Sequence, residues 1–183
     1  MMKTFNQSII NENVEIGLDK PINPNTLPSG VIKMLTDRIG DEYKAYYHYR
    51  NAANWCKDVN YKKAAAFFES EANGELGHAT KLQEYLTQWN IMPSIPTAPT
   101  KANFSSLVDI INQSYIIEYE LLEQYSADAK NIFNQHQATY NFIQEYVDIQ
   151  NGEVAEYCDL LNALQLVNTG NKFEILYFEQ TYF

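Results

Sequence analysis

Four stretches of this 183-residue chain carry apolar or small residues at steps of three and four, and each interrupts that stripe midway with a glutamate. Such steps place side chains on one face of an α-helix. The first stretch runs from about Val31 to Lys57 through Leu35, Ile39, Glu42, Tyr46, Tyr49 and Ala53. The second, Tyr61 to Trp89, reads Ala65, Phe68, Ala72, Glu75, Ala79 and Leu82, and the third, Leu107 to Ile132, reads Leu107, Ile111, Ser114, Glu118, Leu121 and Tyr125. The fourth, about Ala138 to Val167, reads Phe142, Tyr146, Ile149, Glu153, Tyr157, Leu160 and Leu164. These stripes predict an all-α four-helix bundle.

Register tests whether the glutamates meet. If antiparallel helices hold Glu42 and Glu75 at one height, the turn falls close to Asp58, where the polar Lys57-Asp58-Val59-Asn60 stands. Glu118 and Glu153 likewise demand a turn near Gln135, inside Asn134-Gln135-His136-Gln137. Between the hairpins, about Asn90 to Ala102, Pro93, Pro96 and Pro99 stiffen a connector of 13 residues. It spans roughly 43 Å at about 3.3 Å per residue. A helix hairpin needs only about 2 to 8 residues, so this connector is expected to run the length of the bundle. The second hairpin then starts at the end where the first helix finishes.

Composition narrows the class. Seven Gly and six Pro are too few for a turn-rich sandwich or a low-complexity linker protein. Thirteen basic against 23 acidic residues give a formal charge of −10, which repels phosphate backbones and argues against a nucleic-acid partner. No apolar run reaches the roughly 18 residues of a membrane span, and the first 20 residues lack the apolar centre of a secretion signal. With only Cys56 and Cys158, not spaced Cys-x-x-Cys, the thiols read as reduced and the location as cytoplasmic. Residues 1–30, with Pro21, Pro24 and Pro28, read as an extended tail, and residues 31–183 as the folded domain.

The chemistry follows from four carboxylates on buried seams. Uncompensated, they repel one another and lose hydration, so they must protonate, pair or bind cations. Lys and Arg are missing from the neighbouring seam positions. Two divalent cations carry the matching charge, which makes a dinuclear metal site the simplest electrostatic solution. His78, three residues after Glu75, points to the same place and forms the Glu-x-x-His element of metal-binding bundles. Carboxylate oxygen with one imidazole suits Fe(II) or Mn(II) rather than structural zinc, and iron is the expected metal. Tyr49, two turns beyond Glu42, is placed to orient a ligand from another helix or to supply an electron. An ordinary core tyrosine with a satisfied hydroxyl is the other reading of that position.

The stretch Leu35 to Cys56, with Ala64-Ala65-Ala66-Phe67, Glu75-Leu76-Gly77-His78 and Phe142-Ile143-Gln144-Glu145-Tyr146-Val147, resembles the non-haem bacterial ferritins over about Val31 to Phe178. The resemblance implies two irons per subunit, the first held by Glu42, Glu75 and His78, the second by Glu75, Glu118 and Glu153, with Glu75 bridging. It implies Gln150 hydrogen-bonding near the oxygen site and matches Tyr49 to the tyrosine beside the diiron centre. Gln150-x-x-Glu153 stands where bacterioferritin and rubrerythrin types show a second Glu-x-x-His. The implied activity is a ferroxidase reaction: Fe(II) oxidised by dioxygen or peroxide, with ferric mineral stored in a homo-oligomeric shell of 24 subunits. A third iron site that bacterial ferritins often build from glutamates is expected to be absent, because its positions hold Gly74, Ile149 and Gly152.

Gly40, Gly74, Gly77 and Gly152 flank the expected ligands, so the helices there are expected to be locally soft or closely approached, drift being the bland alternative. The aromatic segment Asn171 to Phe183 is expected to be buried, as a short fifth helix meeting symmetry mates at a fourfold axis or folded back on its own bundle. Two other functions stay open: a non-storage diiron oxidoreductase that reduces oxygen or peroxide, and a helical scaffold whose seam carboxylates tune pairing.

Overall fold

A computed structural model describes residues 27–95, 97 and 102–183. Most of the expected tail, together with Pro96 and Pro99, lies outside the described residues. Five helices and no strand occur among those described: α1 (Ser29–Asp58), α2 (Lys62–Gln88), α3 (Leu107–Ile132), α4 (Gln137–Leu164) and α5 (Lys172–Tyr182). The first opens two residues earlier than the stripe predicts, just after Pro28, whose ring cannot donate a backbone hydrogen bond.

Local chemistry sets the helix ends. Asn60 and Asn90 adopt left-handed φ of 66° and 57° after α1 and α2. In each case the next N–H reaches back five residues, Tyr61 to Cys56 O at 2.9 Å and Ile91 to Leu86 O at 3.0 Å. These are Schellman terminations with asparagine in the usual glycine position. Ser106 caps α3 by accepting the Asp109 N–H at 3.0 Å, and His136 caps α4 by accepting from Thr139 N. No side chain adjacent in sequence caps α2. Glu179 of α5 does so from 115 residues away, accepting the N–H groups of Lys63 and Ala64 at 2.7 and 3.1 Å.

Cross-helix bonds give the topology. Arg38 meets Asp128 and Tyr49 meets Glu118, so α1 and α3 run antiparallel. Glu71 meets Tyr157 and Lys81 meets Glu145, so α2 and α4 do as well. Each hairpin is antiparallel in turn, with Arg50 bonded to Glu69 and Gln83 to Tyr43 across α1 and α2. Helices α2 and α3 are therefore parallel, and the link from Trp89 to Ser106 must return the whole bundle length, as its proline content leads one to expect.

The core is the set of predicted seams with two adjustments. On α4 the fully buried residues are Thr139, Ile143, Tyr146, Gln150 and Tyr157, whereas Phe142 and Ile149 are half-buried. Its stripe is turned by about one residue toward Gln150. Tyr46 of α1 is likewise half-buried and packs against its neighbours Tyr43 and Tyr47.

The C-terminal segment forms the expected short fifth helix, with one face on its own bundle and the other exposed in the single chain. Ile175, Phe178 and Glu179 are buried against the bundle end, while Phe173, Leu176, Tyr177 and Tyr182 are exposed, Phe173 at 74 %. An 11-residue helix lying on a surface buries one face only. Phe183 completes the inner contact, its ring 5.1 Å from Phe67 and 5.7 Å from Phe68.

Candidate metal centre

Glu42 of α1, Glu75 of α2 and Glu118 of α3 are buried at mid-height, and Glu153 of α4 and His78 of α2 are half-buried beside them. Two sets of ligand atoms lie within 4.8 Å of one another: Glu42, Glu75 and His78, and Glu75, Glu118 and Glu153. Glu75 belongs to both. His78 Nδ1 lies 3.2 Å from Glu75 Oε2 and 3.6 Å from Glu42 Oε2.

Electrostatics shows what this cluster lacks. Burial, followed by the charges of Glu42 and Glu118, raises the Glu75 pKa well above the ordinary carboxylate range. Burial raises Glu118 to about 7 against the opposing hydrogen bond from Tyr49, and burial with the Glu118 charge raises Glu153 to about 9. Burial opposes protonation of His78, but Glu42 and Glu153 overcome it and its pKa is raised. Meanwhile Glu42 Oε2, Glu118 Oε2 and Gln150 Oε1 are buried without a hydrogen-bond partner among the described residues. An unpaired buried polar atom costs about 1–3 kcal/mol. Orphaned oxygens, mutually repelling carboxylates and one imidazole form a donor set that fits two hard or borderline divalent cations.

The remaining polar contacts hold these ligands in place. Tyr49 donates its hydroxyl to Glu118 Oε1, as a tyrosine two turns beyond Glu42 can. Gln150 Nε2 donates to Glu153 Oε2 at 2.5 Å. Tyr146 donates to the carbonyl oxygen of His78 at 2.8 Å.

Tyr125 is the residue that the sequence reading placed in the core without a role. It is fully buried and donates its hydroxyl to Glu42 Oε1. The signal was available: Tyr125 follows Glu118 by seven residues, as Tyr49 follows Glu42. Arg38 also comes closer than the seam pattern suggests, its guanidinium 5.9 Å from the Tyr125 ring centre. It pairs with Asp41 at 3.2 Å and Asp128 at 3.4 Å, so its charge is matched outside the glutamate cluster. An added Cβ at Gly40, Gly74, Gly77 or Gly152 meets nothing within 4 Å among the described residues, so of the expected alternatives close approach by those residues does not explain the glycines.

Antiparallel hairpins joined by one long crossover, with four carboxylates and a histidine gathered at mid-height, define the ferritin-like class of helical bundles. The chain belongs to the ferritin family, whose model, described as a ferritin-like domain, matches residues 32–167. It is 29% identical over 150 residues to the bacterial non-heme ferritin of Escherichia coli O6:H1, covering 81% of this chain and 90% of that protein. It is 31% identical to the ferritin-2 heavy chain of Schistosoma mansoni, covering 70% and 75% of the two chains. Among solved structures, a humanized archaeal ferritin superposes with a TM-score of 0.79 at 19% identity, over 86% of this chain and 96% of that one. An open pore ferritin from Archaeoglobus fulgidus gives 0.78 at 20% identity, over 85% and 95%.

Proposed function

We propose that this chain is a ferroxidase and iron-storage subunit that oxidises Fe(II) with dioxygen or peroxide at a dinuclear centre within each subunit. The observation that carries this reading is the pair of ligand sets sharing Glu75. Iron is substrate and cargo here. In this reading Glu42, Glu75 and His78 bind one Fe(II), Glu75, Glu118 and Glu153 bind the other, and the four carboxylates are neutralised by the two cations. Tyr49 and Gln150 hold Glu118 and Glu153 at the angles they need. The half-buried Glu153 and His78 give Fe(III) a way out to a mineral, and residues 31–183 act as one ferritin-like domain behind the N-terminal segment 1–30.

Storage needs an enclosure, and we assign the exposed Phe173, Leu176 and Tyr177 of α5 to contacts between subunits in a 24-subunit shell. Two free thiols, Cys56 and Cys158, favour a cytoplasmic setting, and no described helix is long and apolar enough to cross a membrane. Anomalous scattering from iron-soaked crystals tests the reading: two iron peaks per chain beside Glu75 are expected, and no peak there overturns it. Native mass and iron load test storage. A large shell holding hundreds of irons is expected, whereas a small oligomer retaining about two irons per chain is the non-storage oxidoreductase.

A further inference from the structure

The two hairpins repeat each other's chemistry. Glu118 and Tyr125 follow Glu42 and Tyr49 by 76 residues each, and each tyrosine reaches across to the glutamate of the other hairpin. Both hydroxyls therefore sit one hydrogen bond from a carboxylate whose second oxygen, Oε2, is buried without a hydrogen-bond partner among the described residues. Both rings also stack on a further tyrosine. Tyr49 lies 6.1 Å from Tyr157 at an interplanar angle of 4°, and Tyr125 lies 4.9 Å from Tyr146 at 22°. The remaining ring neighbours differ: Tyr49 also meets Phe68, and Tyr125 meets the Arg38 guanidinium.

A tyrosine that only oriented Glu42 would need the hydroxyl. It would not need a stacked phenol behind it, repeated on both halves of the bundle. We propose that Tyr125 is a second one-electron donor to the oxidant, working opposite Tyr49, so that one filling of the centre with two Fe(II) carries dioxygen through to water. This rests on the ferroxidase reading above.

The balance closes. Two Fe(II) give two electrons, and Tyr49 and Tyr125 give one each. The hydroxyl protons leave by Glu118 Oε1 and Glu42 Oε1, and two more protons come from solvent. Dioxygen takes up four electrons and four protons and becomes two waters, leaving two Fe(III) and two neutral tyrosyl radicals. Two further Fe(II), with two protons, restore the phenols, and the net consumption is about four Fe(II) per dioxygen.

The test places a fluorinated tyrosine at position 125, which keeps the hydroxyl and its hydrogen bond. The protein is loaded without oxygen with two Fe(II) per chain, mixed with dioxygen and freeze-quenched for electron paramagnetic resonance. With no spare Fe(II) the radicals persist. A tyrosyl signal split by fluorine is expected, together with peroxide release from Tyr125→Phe and Tyr49→Phe and the highest yield, about one peroxide per two Fe(II), from the double variant. A signal without fluorine splitting, or peroxide from the parent equal to that from Tyr125→Phe, overturns the proposal. Calorimetric titration of Fe(II) before oxygen is admitted separates the two levels. A parent that binds no pair of Fe(II) sinks the ferroxidase reading and this inference with it, while a parent that binds the pair, with a fluorotyrosine form that gives no fluorine splitting, sinks the inference alone.

Discussion

His78 Nδ1 stands 3.2 Å from Glu75 Oε2, one helical turn along α2, with both groups turned toward Glu42. The spacing of three residues brings ring and carboxylate to one point, and Glu75 also belongs to the set on the opposite hairpin. Glu75→Ala is expected to slow Fe(II) oxidation by roughly 100-fold or more, since loss of even an outer partner of a metal ligand typically costs about 10- to 100-fold. Cys158→Ser, outside both ligand sets, is expected to leave the rate nearly unchanged. Stopped-flow absorbance of ferric products checks both, and equal rates for Glu75→Ala and the parent contradict the assignment.

Stability of the metal-free protein is expected to fall as pH rises from about 4.5 to 9, the interval between the unfolded and folded values of its buried carboxyl groups. Glu118 and Glu71, each raised to about 7, and Glu153, raised to about 9, hold protons in the folded state that the unfolded chain releases near its ordinary 4.5. Groups with raised folded pKa values stabilise below the unfolded pKa and lose that contribution as pH passes the folded one. His78, also raised, acts with the same sign. His48 has the opposite sign: burial lowers it to about 4, so its contribution is lost on the acid side, as pH falls below 6.5. Melting temperatures of chelator-treated protein across this range should drop by several degrees, and added divalent metal should abolish the decline. A flat metal-free profile would show that the cluster is not desolvated.

Gly74→Ala and Gly152→Ala are each expected to stabilise the chain by about 0.5–1 kcal/mol. Both residues lie inside helices where alanine has the higher propensity, and the added methyl meets nothing within 4 Å. Denaturant midpoints at constant slope measure the gain. Destabilisation would mean that a neighbouring subunit occupies the space.

Glu179→Ala is expected to cost about 1–3 kcal/mol and to loosen α5, because it leaves the Lys63 and Ala64 N–H groups without their side-chain acceptor. Faster proteolysis near Asn171 with helix content otherwise retained is the expected signature. Unchanged protection would show that Ile175 and Phe178 suffice to hold α5.

Periodicity carried the four helices and the register of their glutamates, because burial of a stripe and the length of a hairpin are both one-dimensional properties. The parallel placement of α2 and α3 was legible in the length and prolines of the connector. The role of Tyr125 was not, although its spacing from Glu118 was in view, because a buried tyrosine on a seam reads as packing until its hydroxyl is seen to meet Glu42. Arg38 was hidden for a related reason. It lies off the apolar stripe, and only its long stem lets the guanidinium reach back over the Tyr125 ring. The surplus of exposed aromatic surface on α5 was hidden in another way, since a stripe count does not say which side of a short helix finds the bundle.

The ligand cluster is unevenly enclosed. Glu42, Glu75 and Glu118 are sealed within the helices, whereas His78 and Glu153 are half-open beside the side-chain-free Gly74, Gly77 and Gly152. The cluster thus has a blind wall and a doorway. Under the proposed ferroxidase reading, small ions approach from the side of His78 and Glu153 rather than through the three sealed carboxylates.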